Sequence, residues 1–282
     1  MNDVVFTFSG KAGDAVMQWP VAYWWSKQHS QKFTAWLDEK SCKIVAPLFA
    51  AQPCVEAVEF KPGIINYNCG GQPWHFDLPT SELIGKTVYH LGFRSFPERQ
   101  LTLECLAQSS VPVEIEIPTL SETNPFEVPV AVEKVNRLVL HGQGVCPHSR
   151  TTPQFWRFLA AIRKELAGLF EEIVFVGSPA DREVAQIAYP DWKTFDDGGN
   201  FLTLAGLLIS SRAVVGCGSS TVALAGALKV PCIRVHDPVG DLPRRIWDNL
   251  GENQLNDTEV GLRTSWPKWR DRWLTAKVDT TG

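Results

Sequence analysis

The chain has 282 residues, of which 44% are hydrophobic and 21% charged, and its formal net charge is -4. This composition is typical of a globular protein, and the length suits two α/β domains. The negative charge balance argues against a broad basic surface for duplex nucleic acid, and no apolar run is long enough to span a bilayer. The N-terminus lacks the basic and apolar regions of a secretion signal. The seven cysteines are scattered and form no Cys-x-x-Cys pair, so we expect a reduced, cytoplasmic protein without a disulfide framework or a zinc site.

Strands alternate with helices in the first half of the chain. The predicted strands are 3–8, 32–37, 54–60 and 86–91, and the predicted helices are 14–28, 39–51 and 97–109. We expect Pro20 to interrupt the first of these helices, and residues 61–85, which are rich in Gly, Pro and Asn, to be irregular. The alternation predicts a parallel sheet that is covered by helices on both faces.

A proline-rich stretch follows, and the same alternation restarts after it. Residues 115–129 hold three prolines and no helical period, which is typical of an interdomain linker. The strands predicted beyond it are 136–142, 173–177, 192–196, 213–216 and 231–235, and the helices begin at Pro153 and cover 179–188, 200–211 and 219–229. We therefore predict an α/β protein with two Rossmann-like domains whose parallel sheets face a central cleft.

The expected boundaries place a first domain at 1–120, a linker at 121–133, a second domain at 134–262 and a tail helix at 263–282. The tail helix sets Trp266, Trp269 and Trp273 on one face. That face either returns to the first domain or completes a core, and the core interpretation is the favoured one.

The first motif, Ser9-Gly10-Lys11-Ala12-Gly13-Asp14, follows the first strand directly and opens the first helix. Loops at the carboxyl ends of parallel strands face the ligand of an α/β protein. Two interpretations of Asp14 stay open. It caps the helix by accepting backbone N–H groups, or it is a general base that removes a proton from an attacking hydroxyl.

The second motif runs from Val215 to Thr221 and brings small residues and hydroxyls to a helix N-terminus, where the partial positive charge favours a phosphate. It lacks both the Walker sequence and the third glycine of the dinucleotide fingerprint. The alternative is a tight turn with a serine cap. A third motif, His141-Gly142-Gln143-Gly144, ends a strand, and the cation of Arg150 near it suits a diphosphate.

Two other sets of polar residues are interpreted as structural. His141 and His148 are more often hydrogen-bonded or exposed loop histidines than catalytic groups. Asp196 and Asp197 are adjacent, so their side chains diverge, and the glycines that follow favour a turn before a helix cap over a metal site.

Five segments, taken in chain order, carry a pattern that is more specific than any single motif. They are Gly10–Asp14 with Pro20 downstream, Phe96–Leu106, Gly177–Glu183, Leu202–Gly216 and Ala223–Pro231. Together they resemble the bacterial heptosyltransferase-like glycosyltransferases of family nine, whose opening motif is G-x-x-G-D followed by a proline.

The resemblance implies a GT-B fold and an inverting, metal-independent transfer from a nucleotide-diphosphate-sugar donor, which is a co-substrate, so no resident cofactor is expected. It places Asp14 at the position of the catalytic base. The donor-binding residues that it implies are Gly142, Gln143, Arg150 (in place of the usual lysine), Ser178, Gly218, Ser219, Ser220 and Thr221. On the acceptor side it implies Gly10, Lys11, Gly13, His90 and Arg94.

The donor loop departs from the family pattern. Where the family typically has Asn-Asp-Ser-Gly-Pro-x-His, this chain has Cys217–Ala223, which contains neither the acidic residue that would hold sugar hydroxyls nor the histidine. Binding of a phosphate through backbone N–H groups survives such changes. The substrate therefore carries over less directly than the fold and the reaction type.

The acceptor that the resemblance implies is a glycan or glycolipid of the lipopolysaccharide core type, and peripheral contact with a membrane stays open. Two alternatives stay open as well. The first is a glycosyltransferase that acts on a hydroxymethylated base of phage DNA, since the 11 tryptophans would allow base stacking. The second is a non-catalytic nucleotide- or glycan-binding module of the same fold. A sugar-nucleotide epimerase is less favoured.

Overall fold

The computed structural model describes residues 3–8, 10–62, 80–91, 126–128, 133–142, 151–217, 219–235, 254–257, 266–268 and 270–271. The main division between two compact units falls between residues 129 and 130. Within the part of the chain that is described, no helix combines the length and hydrophobicity that a membrane span requires.

The first unit contains a four-stranded parallel sheet with the order β3-β2-β1-β4. Its elements in chain order are β1 (Asp3–Phe8), α1 (Ala12–His29), β2 (Phe33–Leu37), α2 (Glu39–Cys42), α3 (Ala46–Ala50), β3 (Val55–Phe60), α4 (Thr80–Leu83) and β4 (Lys86–Leu91). Aromatic side chains from β1 and α1 form its core: Phe6 and Phe8 are fully buried and meet Trp25 and Trp19.

The prediction that Pro20 interrupts the first helix is wrong, because α1 runs through it without a break. An interior proline loses one backbone hydrogen bond and costs about 3 kcal/mol. The neighbouring Trp19 is fully buried against Phe8, Phe49 and Phe126, with ring centroids 6.2, 4.5 and 5.1 Å away. Burial of one tryptophan offsets a cost of that size.

The predicted helix 39–51 is instead two short helices, α2 and α3, separated by residues 43–45. Pro47 lies in the first turn of α3, where a proline is tolerated, and it has no N–H to donate to the carbonyl four residues earlier, so a continuous helix is interrupted there. The Asp38 carboxylate caps α2 by accepting the Ser41 N–H at 2.9 Å. The predicted helix 97–109 lies outside the described residues, as do 63–79 of the segment expected to be irregular. For the end of that segment the prediction is wrong, because Thr80–Leu83 form α4.

Part of the predicted linker packs against the first unit and is hydrogen-bonded to it. Phe126 is 2% exposed and stacks on Trp19. The buried amide of Gln52 accepts the Glu127 N–H at 2.8 Å and donates to the Glu127 carbonyl at 3.0 Å. These two bonds reproduce the pairing of a neighbouring strand, so residues 126–127 pack as part of this unit.

The second unit contains a six-stranded parallel sheet with the order β10-β9-β8-β5-β6-β7. Its elements are β5 (Arg137–His141), α5 (Thr151–Leu169), β6 (Glu172–Val176), α6 (Pro179–Ala188), β7 (Lys193–Phe195), α7 (Phe201–Ser210), β8 (Ala213–Cys217), α8 (Ser220–Ala227), β9 (Cys232–Val235) and β10 (Gln254–Asp257). The strand β10 was not predicted. The two parallel α/β sheets themselves were, and that prediction is confirmed.

The tail tryptophan Trp266 completes the core of the second unit. It is 3% exposed, meets Phe158 edge to face at 6.2 Å, and donates its indole N–H to Glu165 at 2.8 Å. The core interpretation of the tail therefore holds for this residue. Trp269 and Trp273 lie outside the described residues.

Candidate functional site

Asp14 lies in the first turn of α1, just beyond the carboxyl end of β1. Its Oδ2 accepts the backbone N–H of Lys11 at 2.8 Å, which satisfies one of the free donors at the start of the helix. None of the described residues gives Oδ1 a hydrogen bond. Among the described residues, the carboxylate is thus held through one oxygen only.

Burial raises the pKa of Asp14 to about 6, and the N–H and the charge of Lys11 oppose this shift. A carboxylate with a pKa close to neutrality is a stronger base than an ordinary aspartate and is still ionised at pH 7. The side chain is half-buried, so it combines partial desolvation with access for a substrate.

Because residue 10 is a glycine, the Asp14 carboxylate can lie directly beside the backbone of the turn. Its φ is 90°, in the region that favours glycine, and a Cβ added there would lie 2.5 Å from Oδ2 of Asp14. Lys11 is exposed beside it, and Gly13 is half-buried in the first turn of α1. Three of the predicted acceptor-side residues, Gly10, Lys11 and Gly13, therefore belong to the same turn as Asp14.

One residue that the motif analysis missed, Cys42, contacts this turn from α2, and a second, Asp38, caps that short helix. The thiol of the fully buried Cys42 contacts the Gly10 carbonyl at 3.5 Å. Burial, together with the nearby carboxylates of Asp38 and Asp14, raises the pKa of Cys42 to about 12. Asp38 follows β2 directly, so its position after a buried strand was a sequence signal for this edge of the sheet.

His90 pairs with Thr7 in the register of β4 and β1, and its Nδ1 lies 3.0 Å from the Thr7 hydroxyl. Burial lowers the pKa of His90, because a partly desolvated ring disfavours the charged form. His90 is therefore held near the same carboxyl edge of the sheet as Asp14. Arg94, the other acceptor-side candidate, lies outside the described residues.

In the second unit, the candidate donor residues lie at the carboxyl ends of three adjacent strands, β6, β5 and β8. His141 ends β5 and pairs with Gly216 of β8 and Val176 of β6. A Cβ on Gly216 would lie 2.7 Å from Val222 Cγ2 and 3.1 Å from the His141 carbonyl. Only glycine fits between these strands at this point.

Ser219 occupies the N-cap position of α8 but makes no capping bond with its side chain. It is 7% exposed, and its Oγ is buried without a hydrogen-bond partner among the described residues. Ser220 and Thr221 form the first turn of the helix, and Thr221 is 4% exposed. A helix N-terminus with an unused buried hydroxyl is arranged to receive an acceptor-rich group such as a phosphate.

Ser178 is the N-cap of α6 and forms a reciprocal cap with Asp181. Its hydroxyl donates to Asp181 Oδ2 at 2.6 Å, and the Asp181 N–H donates back at 3.2 Å. Its role in donor binding stays a prediction. Gly142 follows β5 and is buried, whereas Gln143, Arg150 and Gly218 lie outside the described residues.

Asp196 is engaged by an arginine, as the structural interpretation of the Asp196-Asp197 pair requires. Arg182 donates to both of its oxygens at 3.1 and 2.8 Å, and the Gly198 N–H donates at 3.0 Å. Among the residues with described positions, no group of three or more His, Cys, Asp or Glu side chains is arranged to hold a metal ion.

Comparison with known sequences finds neither a family model nor a curated protein that matches the chain. Solved structures do match it. Heptosyltransferase II of E. coli, described as an ADP-heptose lps heptosyltransferase, is 11% identical over 96% of this chain and 99% of its own, with a TM-score of 0.65. The E. coli heptosyltransferase WaaC with ADP is 13% identical over 94% and 99%, with a TM-score of 0.64.

A third match is a family 9 glycosyl transferase from Veillonella parvula, 12% identical over 95% of this chain and 89% of its own, with a TM-score of 0.63. An iron-containing dodecameric glycosyltransferase, TibC of E. coli, is 12% identical over 97% and 77%, with a TM-score of 0.53. At these identities the similarity concerns the fold. The chain has the α/β fold of the GT-B heptosyltransferases, and the resemblance to glycosyltransferase family nine that the sequence indicates is confirmed at the level of the fold.

Proposed function

We propose that the protein is an inverting glycosyltransferase that moves a sugar from a nucleotide-diphosphate-sugar to an acceptor hydroxyl. The observation that carries this proposal is the Asp14 carboxylate, which is anchored through Oδ2, has an Oδ1 that no described residue engages, and has a pKa raised to about 6 by burial. A structural cap needs only the first of these properties, whereas a general base needs all three.

In the proposed reaction the acceptor oxygen attacks the anomeric carbon of the donor. A bond forms between that oxygen and that carbon while the bond from the carbon to the diphosphate oxygen breaks. The acceptor proton passes to Oδ1 of Asp14, and the electron pair of the broken bond leaves with the nucleoside diphosphate. One displacement of this kind inverts the configuration at the anomeric carbon.

The donor is assigned to the second unit because its sheet edge provides what a diphosphate needs. The N-terminus of α8 presents free N–H groups, and Ser219 and Thr221 bring hydroxyls to the same turn. The similar structures include WaaC solved with ADP and with ADP-2-deoxy-2-fluoro heptose, which supports a nucleoside diphosphate donor here. By motif position, Gln143, Arg150 and Gly218 belong to the same site.

We also propose that neither a metal nor a resident cofactor takes part, since helix N–H groups and the cation of Arg150 would stabilise the leaving diphosphate. The engagement of Asp196 by Arg182 supports a structural role for that carboxylate. A lipopolysaccharide core-type glycan is the acceptor that the family resemblance favours. A cytoplasmic location is consistent with Cys42, Cys54, Cys217 and Cys232, none of which forms a disulfide among the described residues.

The direct test is a thermal-shift and calorimetric panel of nucleoside diphosphates and nucleotide-sugars with the whole chain. A ligand that binds only the native state raises the Tm, by an amount equivalent to about 2.7 kcal/mol at one hundred times its Kd. We expect one nucleoside diphosphate to be preferred, and its sugar conjugates to support turnover with a glycan acceptor. If nothing in the panel binds, the proposal fails. Binding without turnover on any acceptor would favour the non-catalytic binding module.

A further inference from the structure

His141 is a buried side chain whose polar atoms the described part of the protein leaves unused. It ends β5 in the middle of the six-stranded sheet and is 9% exposed. Its Nδ1 is buried and has no hydrogen-bond partner among the described residues, and these give Nε2 none either. A buried polar atom without a partner costs about 1–3 kcal/mol, so such an atom in a native protein requires an explanation.

A second unused polar atom lies at the same edge of the sheet. Ser219 Oγ is also buried without a described partner, just beyond the end of β8, which is the strand next to β5. Gly216 keeps the two strand ends close, because any larger residue would collide with the His141 carbonyl and with Val222. Two orphaned polar groups on adjacent strand ends indicate a polar ligand shared by this edge, rather than two separate packing defects.

The chemistry of the ring restricts what this ligand can offer to His141. Burial lowers the pKa of His141 to about 4, against the opposing charge of the Asp181 carboxylate, so the imidazole is neutral at pH 7. A neutral imidazole has one N–H donor and one nitrogen acceptor. Phosphate oxygens accept hydrogen bonds and donate none, whereas a hydroxyl does both. A hydroxyl therefore satisfies the buried nitrogen whichever tautomer is present.

A side chain that binds a donor hydroxyl must come from outside the donor loop. Cys217–Ala223 contains no carboxylate to hold sugar hydroxyls. The carboxylate of Asp181 is already committed to the hydroxyl and the N–H of Ser178, at 2.6 and 3.2 Å. His141 is the buried side chain at this edge with both ring nitrogens uncommitted among the described residues.

We propose that His141 hydrogen-bonds a hydroxyl of the nucleotide-sugar donor, either on the ribose or on the transferred sugar. This inference rests on the proposed donor site of the second unit and adds a residue that determines donor specificity. Under this proposal the unpaired ring lowers the stability of the free protein and increases the affinity for the donor. A merely structural histidine would behave in the opposite way.

The test uses His141→Leu, which has similar volume and no polar atoms, in the whole chain. The Tm of the free variant should equal or exceed that of the wild type. The Kd of the best nucleotide-sugar from the panel should rise about tenfold, the size expected for one lost hydrogen bond to a group left unpaired. His141→Gln, which keeps a donor and an acceptor, should restore part of the affinity.

Two ligand series identify which hydroxyl is bound. If the ribose hydroxyl is the partner, the free nucleoside diphosphate loses affinity too, and its 2′- or 3′-deoxy analogue binds wild type and His141→Leu equally. If the sugar hydroxyl is the partner, only the nucleotide-sugar loses affinity. His29→Phe is the control, since His29 is exposed, belongs to the first unit and already hydrogen-bonds the Trp25 carbonyl at 2.8 Å.

Unchanged donor affinity in His141→Leu overturns this inference while the proposed function stands. So does a lower Tm accompanied by an unchanged Kd, which would make the ring a structural group. If the variant fails to fold, the ring is structural in the same sense unless His141→Gln folds and binds the donor more weakly. Wild-type protein that binds no nucleoside diphosphate or nucleotide-sugar overturns both proposals together.

Discussion

The Lys11 N–H donates to Oδ2 of Asp14 at 2.8 Å, and the second unit repeats this contact between Ser178 and Asp181 at 3.2 Å. In both turns a glycine precedes the N-cap, and a Cβ on it would meet the aspartate side chain at 3.0 Å or less. The difference lies in the N-cap side chain. The Ser178 hydroxyl also bonds Asp181 at 2.6 Å, whereas Lys11 adds no such bond. Asp181 is also buried, 6% exposed, whereas Asp14 is half-buried, so the two caps differ in how accessible the carboxylate is.

Asp14→Asn separates the base from the cap. Asparagine keeps the size and the oxygen that accepts the Lys11 N–H, but it cannot take the proton of the acceptor. Turnover should fall by ~10²–10⁴-fold, the usual contribution of general-base catalysis, while the donor Kd changes little. The Tm should equal or exceed that of the wild type, because asparagine does not carry the cost of a buried ionised carboxylate. Asp191→Asn is the control for loss of an exposed carboxylate, which pairs with Arg163 at 3.3 Å, and it should keep wild-type turnover. Wild-type turnover in Asp14→Asn would remove the base from the mechanism.

The pH profile should report the raised pKa of Asp14. We expect kcat/KM to rise with pH below about 6 and to level off above it, as the carboxylate loses its proton. The raised pKa has the opposite effect on stability: the free energy of unfolding falls as the pH rises. Because the native pKa is above the ordinary value of 3.8, the folded state holds the proton more tightly, and Asp14 destabilises the fold increasingly from about pH 4 to pH 6. Urea unfolding should therefore show that Asp14→Asn gains stability relative to wild type across this window. A limb of the rate profile near pH 4 would contradict this assignment.

Periodicity was enough to predict both sheets because their inner strands, such as β1, β5 and β8, are short buried runs bounded by turn residues. Periodicity was not enough where tertiary packing determines whether a helix continues or a strand forms. Pro20 is tolerated through the burial of Trp19, and β10 forms only by pairing with β9. In the candidate site, Asp14 was predicted from its motif, whereas Cys42 acts through a contact 32 residues away in sequence, which no local pattern contains. His141 was predicted to be structural because its lack of described partners is visible only in three dimensions.

Gly10→Ala should disturb the candidate base more than the backbone geometry alone requires. Alanine at φ 90° is strained, and its Cβ would also lie 2.5 Å from the Asp14 carboxylate. The matched control is Gly85→Ala, whose φ is 76° and whose Cβ meets nothing within 4 Å. Urea unfolding should give a loss of about 1–2 kcal/mol for Gly85→Ala, from φ strain alone, and a larger loss for Gly10→Ala. Only Gly10→Ala should also lower turnover, and equal effects of the two variants on both measurements would mean that the turn does not position Asp14.

Removal of divalent metals tests the proposed stabilisation of the leaving group. If helix N–H groups and Arg150 neutralise the diphosphate, excess EDTA should leave turnover within about twofold of the untreated enzyme. Loss of turnover that manganese or magnesium restores would contradict metal independence. It would also return Asp196 and Asp197 to consideration as ligands, and Asp196→Asn would then show a higher metal requirement.

Ser219→Ala and Ser211→Ala should show opposite effects, because two buried serines of the same unit differ in how their hydroxyls are used. Ser211 Oγ donates to the Leu207 carbonyl at 2.6 Å, whereas Ser219 Oγ has no partner among the described residues. Loss of the Ser211 hydroxyl should destabilise the protein by about 1 kcal/mol and leave the donor Kd unchanged. Loss of the Ser219 hydroxyl should leave the Tm unchanged or raise it, and should raise the donor Kd by about three- to tenfold.

Ser219→Val, which adds bulk at the start of α8, should weaken donor binding further. Calorimetry with the preferred nucleoside diphosphate and thermal unfolding of the free variants provide both readouts. An unchanged Kd in Ser219→Val with a normal Tm would place the diphosphate elsewhere and leave this segment as a tight structural turn.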